Sequence, residues 1–188
     1  SERLDQFITD IIKITKEKEH YESEAYTDAL TRVKNKAALE VEEKSLNHQI
    51  EQKTARFSIV LLDINGLKYI NDTFGHTAGD DSIIESAAII CRVFPLSHVY
   101  RIGGDEFCVI LLGHEYDIQD EFIEKLNDEI DKSISAHSGR QWQISIACGI
   151  SRFDPDTDLS FRAVYEKADR IMYNKKEEMY KESGIKRR

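Results

Sequence analysis

The run Phe57-Ser58-Ile59-Val60-Leu61-Leu62 is apolar at every position but one, and it stops at a carboxylate, Asp63. A strand that is apolar on both faces must be covered on both faces. The segment therefore predicts a central buried strand with an acid at its C-terminal end. Two more apolar runs, His98–Ile102 and Phe107–Leu112, read as short strands, and Gly103-Gly104-Asp105-Glu106 between them reads as the turn of a hairpin. Glycines in such a turn supply positive φ and let a foreign backbone or phosphate approach. Adjacent carboxylates repel one another unless a cation is near. The turn is thus either an ordinary polar loop or part of a metal or proton-transfer site.

Helical patterns surround these strands. Asn35 is placed to cap a helix running to about Gln52. Others are expected over Gly66–Phe74, from Ala78 with an apolar face on Ile83, Ile84, Ala87, Ala88 and Cys91, over Ile118–Ala136, and over Leu159–Tyr180. A further strand is expected over Gln141–Ile150. Strands and helices in this order suit an α+β domain, a mostly antiparallel sheet flanked by helices. Ahead of it, Leu4, Phe7, Ile8, Ile11, Ile12 and Ile14 form one stripe of an amino-terminal helix. That stripe either packs back on its own domain or pairs with a second copy as a coiled coil. The chain opens inside this helical pattern, so an upstream segment in a longer protein is expected.

Composition limits the partners. At 188 residues the chain suffices for one full core. A net charge of −9 argues against nucleic acid or an anionic membrane as a main partner. The three cysteines, Cys91, Cys108 and Cys148, sit in apolar runs and read as reduced core thiols, which suits a cytoplasmic setting. The histidines lack zinc-ligand spacing, and neither a signal peptide nor a membrane span is recognisable.

If the strand ending in Asp63 lies beside the hairpin, Asp63, Asp105 and Glu106 meet at one edge of the sheet. Mg²⁺ takes oxygen ligands and keeps room for phosphate oxygens, so such a cluster suits a metal-triphosphate site. No phosphate-binding glycine loop and no dinucleotide fingerprint is present. A nucleotide would instead need scattered polar groups. Asn71 and Asp80 are candidates, because an amide and a carboxylate together match the N1–H, N2–H and O6 edge of guanine. Turn chemistry and helix capping explain the same two residues without a ligand.

The chain also resembles the GGDEF family, the diguanylate cyclases. Gly103-Gly104-Asp105-Glu106-Phe107 is similar to the family's signature pentapeptide, and Asp28-Ala29-Leu30-Thr31 with Asn35 resembles its opening motif. Leu62-Asp63-Ile64-Asn65 with Lys68, Ile70, Asn71, Asp72, Phe74, Gly75, His76, Gly79 and Asp80 resembles its central block. Ala168-Asp169 with Tyr173 and Lys176 resembles its last helix, so the similarity runs from about Ala25 to Lys181. The resemblance implies a nucleotidyl cyclase, palm-like fold over 25–182, a stalk helix over 1–24 and a tail over 183–188. It implies condensation of two GTP into cyclic di-GMP and pyrophosphate by a homodimer joined through the stalk with facing active sites. It further implies a pair of Mg²⁺ or Mn²⁺ ions when GTP is bound, and a missing upstream sensor. Asp63, the Ile64 carbonyl, Asp105 and Glu106 would hold metal, with Asp105 as the base. Asn71 and Asp80 would hold guanine. Lys68, Lys176, Leu67, Gly103 and Gly104 would line the rest of the nucleotide.

The chain departs from the family pattern at several points. Arg32 and Lys36 stand where Gly and Arg are usual, and Asn65 stands where the second acid is usual. Met179-Tyr180 replaces a Gly-Arg pair, so one phosphate-binding Arg is absent. The usual inhibitory Arg-x-x-Asp would fall at Phe94-Pro95-Leu96-Ser97, which has neither residue, so no feedback inhibition through that site is expected. The alternative to a cyclase is a catalytically silent GTP-binding domain that signals by dimerising or docking.

Overall fold

The computed structural model describes residues 2–183. Helix α1 (Glu2–Tyr26) leads through β1 (Lys34–Asn35) into α2 (Lys36–Glu51). Strand β2 (Ser58–Ile64) is followed by α3 (Leu67–Phe74) and α4 (His76–Val93). The hairpin of β3 (Val99–Arg101) and β4 (Glu106–Leu111) comes next. Then follow α5 (Gly113–Asp117), a 3-10 turn at Gln119–Glu121, α6 (Phe122–Ala136), β5 (Ile146–Arg152) and α7 (Phe161–Ser183). Of the expected tail, all but Ser183 lies outside the described residues.

The apolar run becomes β2, buried at every position and paired antiparallel to β4 on one side and β5 on the other. The sheet runs β1-β3-β4-β2-β5 and is antiparallel except where β1 lies parallel to β3. This is an open α+β sheet with a core on each face. Val60, Leu62 and Ile64 join Phe107, Val109 and Leu111 beneath α4 and α6. Ile59 and Leu61 join Cys108, Ile110 and Ala147 beneath α2 and α7. Each such side chain contributes about 1.5–3 kcal/mol on burial, which is why a polar residue inside β2 calls for an explanation. Asp63 is the charged one.

Helix α7 comes very close to β5 at Gly149, where a Cβ would overlap the Ala168 carbonyl oxygen and the Met172 amide nitrogen. That close approach brings the far end of α7 over Asp63.

Several expectations are corrected. The buried face of α4 is Ile83, Ser86, Ala87, Ile89, Ile90 and Val93, whereas Ile84, Ala88 and Cys91 are exposed. The small serines take core positions that a purely apolar reading assigns to their neighbours. Cys91 is therefore not a core thiol, while Cys108 and Cys148 are. The strand expected from Gln141 begins only at Ile146, and the helix expected from Ile118 begins at Phe122 after the 3-10 turn. Strand β2 runs one residue past Asp63. The short parallel strand β1 has too few residues to leave a sequence pattern. No helix among the described residues is long and apolar enough to cross a membrane.

Candidate functional site

The β2–β4 register sets Asp63 directly opposite Glu106. Cross-strand partners share a face, and odd positions of β2 face α7. Both carboxylates therefore point toward the same helix. Asp63 is only 5% exposed, and its Oδ1 accepts a 2.6 Å hydrogen bond from Lys176 Nζ on α7. Asp105 lies in the turn just before β4, and its carbonyl accepts from the Ile64 amide at 2.9 Å. This bond carries the ladder to the tip of the hairpin and fixes Asp105 beside the end of β2.

The hairpin differs from expectation in two details. Glu106 is the first residue of β4, leaving Ile102–Asp105 as the turn. Neither Gly103 nor Gly104 has positive φ. The turn closes instead through the Ile102 amide, which donates to the Glu106 carbonyl at 2.9 Å. Gly104 stays open, with no atom near enough to touch an added Cβ.

The electrostatics mark the cluster as short of positive charge. The Glu106 carboxyl is pushed up from its ordinary range by burial first, then by Asp105 and Asp63, with Asp169 adding to them and Lys176 opposing. The donors here are oxygens only, which is the chemistry of a hard divalent cation. Among the described residues no three His, Cys, Asp or Glu side chains converge closely enough to enclose an ion unaided. A magnesium site needs fewer, since it takes one or two carboxylates and completes its shell with water and phosphate oxygens. The residues present fit such an ion.

The nucleotide candidates divide. Leu67 opens α3 but its side chain belongs to the core, so only its backbone is available to a ligand. Lys68 beside it and Asp80 on α4 are exposed. Asn71 lies against Gly79 of α4, where a Cβ would overlap Asn71 Oδ1. Gly79 thereby seats the amide next to Asp80. Contacts unite Asp63, Ile64, Asp105, Glu106 and Lys176 at one end of the sheet, while Asn71 and Asp80 sit on the α3–α4 pair that follows β2.

Two devices escape a reading of the sequence. Asp28 accepts from the Thr31 amide at 2.9 Å, from the Thr31 hydroxyl at 2.7 Å and from Arg101 Nη1 at 3.1 Å. Burial opposes its charge, yet the Thr31 and Arg101 donors outweigh it and hold Asp28 below the usual carboxylate range. Arg101 Nη2 also donates to the Gly104 carbonyl at 2.8 Å, so Arg101 braces the turn that carries Asp105. Asn35 has two jobs. Its Oδ1 caps α2 at the Ala38 amide, and its Nδ2 donates to the Ala25 carbonyl in the last turn of α1 at 2.8 Å. Asp28 and Asn35 are visible in the opening motif and the cap at Asn35 is expected from it, but the Asp28–Arg101 pair spans 73 positions and the Asn35–Ala25 bond ties two helices together.

A family model described as "Diguanylate cyclase, GGDEF domain" matches residues 25–182. The chain belongs to the GGDEF family. It is 33% identical over 159 residues to diguanylate cyclase DgcN of Escherichia coli, covering 81% of this chain and 37% of that protein. It is 31% identical over 166 residues to diguanylate cyclase DgcP of Pseudomonas aeruginosa, covering 84% of this chain and 23% of that protein. The chain thus spans less than half the length of these curated relatives. The solved coiled coil and GGDEF domain of DgcB from Caulobacter crescentus, in complex with c-di-GMP, aligns at TM-score 0.74 with 25% identity, covering 93% of each chain.

Proposed function

We propose that this domain is half of a diguanylate cyclase, joining two GTP molecules into cyclic di-GMP when two copies face each other. The observation that carries the reading is the buried Asp63 set opposite Glu106, with Asp105 at the adjoining turn and Lys176 over them. In this reading Asp63, the Ile64 carbonyl, Asp105 and Glu106 hold Mg²⁺ or Mn²⁺, which when bound neutralises the triphosphate. Lys68 and Lys176 steady the phosphates, with Gly103, Gly104 and the Leu67 backbone against them. Asn71 and Asp80 grip guanine. Asp105 takes the proton of the ribose 3′-hydroxyl as that oxygen attacks the α-phosphorus of the facing GTP and pyrophosphate leaves. Each domain holds one GTP, so product requires two.

The exposed apolar stripe of α1 supports that pairing. Phe7 and Ile14 are 61% and 64% exposed, and Leu4, Ile8, Ile11 and Ile12 are exposed beside them. Residues 1–24 then act as the stalk and 25–182 as the catalytic domain, in the cytoplasm and downstream of a sensor. We expect no feedback inhibition at Phe94-Pro95-Leu96-Ser97, where Phe94 packs on Phe122 and the Leu96 amide donates to Glu115.

A silent GTP-binding role is the second reading, favoured because Tyr180 lines an apolar pocket where the family carries a phosphate-binding Arg. Incubation with GTP and Mg²⁺ followed by chromatography separates the two. Cyclic di-GMP is expected from the wild-type dimer and not from Asp105→Asn. A confirmed dimer that binds GTP but yields no product overturns the cyclase reading.

A further inference from the structure

A pocket of about 650 Å³ opens one pleat beyond Asp63, between α3, the end of α7 and the segment leading into β5. It does not include Asp63, Asp105, Glu106, Asn71, Asp80, Lys68 or Lys176. Its walls are Tyr69, Ile70, Trp142, Met179 and Tyr180, with amides and a hydroxyl from Asn65, Gln141, Gln143 and Ser145. Asn65 and Asp63 share a face of the chain, so Asp63–Lys176 and Asn65–Met179 are successive rungs along α7. Three of the chain's departures from its family, Asn65, Met179 and Tyr180, line this one space.

Three observations define what the pocket would accept. Its volume is that of a ligand site and its lining is chiefly apolar and aromatic. Arg140, the cation at its rim, is committed: it pairs with Glu85 and its guanidinium stacks on Trp142 at 3.7 Å. An anionic ligand would find that charge already neutralised. Finally, Asn65 Nδ2 donates to Ser145 Oγ at 3.0 Å, while Asn65 Oδ1 is shielded from solvent with no hydrogen-bond partner. A buried unsatisfied acceptor is costly, and an N–H donor would relieve it. The flexible thioether of Met179 packs on the same amide, 3.5 Å from Asn65 Nδ2, and can shift when a ligand enters.

We propose that this pocket is a second ligand site, separate from the carboxylate cluster. It takes a neutral, purine-sized heteroaromatic ring with an exocyclic N–H directed at Asn65, stacked among Trp142, Tyr69 and Tyr180. The site stands independently of turnover at Asp105.

Trp142 is the only tryptophan in the chain, so its indole N–H gives a single resonance for a titration of the ¹⁵N-labelled protein. Adenosine supplies the ring and the N–H, and N6,N6-dimethyladenosine supplies the ring without it. A saturable shift with adenosine is expected, with the dimethyl compound about tenfold weaker. In Asn65→Leu, checked for folding by circular dichroism, that preference should vanish. Ser145→Ala, which keeps Asn65 Oδ1, should retain it. Absence of saturation at millimolar adenosine, equal affinity for both compounds, or displacement of adenosine by GTP with Mg²⁺ would each overturn the proposal. The last of these would make the pocket an extension of the GTP site.

Discussion

Replacing Gly79 with alanine should disable the proposed grip of Asn71 on guanine without harming the fold. The added methyl would overlap Asn71 Oδ1 and stand 2.8 Å from its Cγ and 3.2 Å from its Nδ2. Non-bonded heavy atoms settle at about 3.5–4 Å, so the amide oxygen must retreat by roughly 1.5–2 Å. The backbone has nothing to lose, since Gly79 is helical within α4 and has no positive φ. Alanine there gains about 0.5–1 kcal/mol of helix stability, and driving Asn71 off its rotamer costs about 0.5–1.5 kcal/mol. The two nearly cancel. Binding is another matter, because a displaced amide leaves a guanine N–H unpaired at a cost of about 1–3 kcal/mol. The KM for GTP should rise about tenfold, equivalent to 1.4 kcal/mol. Pyrophosphate release measures KM, and thermal unfolding should stay within about 4 °C of wild type. Because both changes remove one contact, Gly79→Ala added to Asn71→Ala should make it no worse. An unchanged KM in Gly79→Ala, or additive losses in the double variant, would refute the reasoning.

Other outcomes follow from the same geometry. The raised Glu106 carboxyl binds its proton more tightly in the folded state, so its contribution to stability is full at low pH and is lost as pH rises through the folded value. Glu106→Gln behaves as the protonated form throughout, so its Tm should match wild type below the ordinary range of glutamate and exceed it at neutral pH. Added Mg²⁺ should raise the Tm of wild type more than that of the variant; a Tm gap that does not change with pH would count against this account. Gly149→Ala should destabilise by about 3 kcal/mol in urea unfolding, because its methyl meets backbone atoms of α7 that cannot give way. Ile8→Glu with Ile11→Glu should leave a folded monomer by sedimentation and reduce cyclic di-GMP output to background, since both side chains sit on the exposed stripe of α1; a dimeric, active variant would remove the stalk from the account.

The central strand and the hairpin were legible because burial on two faces and turn chemistry leave local signatures. Phe57–Leu62 reads as a core strand before anything is known of its neighbours, and Asp63 stands out there for the same reason. What stayed hidden depends on partners distant in sequence. Lys176 meets Asp63 across 113 positions, a distance that no periodicity encodes. The inward turn of Ser82 and Ser86 was missed because small hydroxyl residues look polar in a pattern and behave as fillers in a core. Gly103 and Gly104 misled in the opposite sense. Their presence suggests positive φ, yet the turn closes through the Ile102 amide with both glycines in ordinary backbone conformations.

The double role of Asn35 has a mechanical consequence. One side chain holds the start of α2 by its oxygen and the end of α1 by its nitrogen, and Asp28 on the same short connection is pinned through Arg101 to the turn of Asp105. Helix α1 and the hairpin that carries Asp105 are therefore geared through Asn35, Asp28 and Arg101. In such a train the angular phase of α1 is an output setting. One residue inserted into that helix would turn everything upstream by about 100° and lift it by about 1.5 Å relative to the sheet. Two facing domains on paired helices would then be swung past one another, so helix length should select among active and inactive settings in steps of one helical turn.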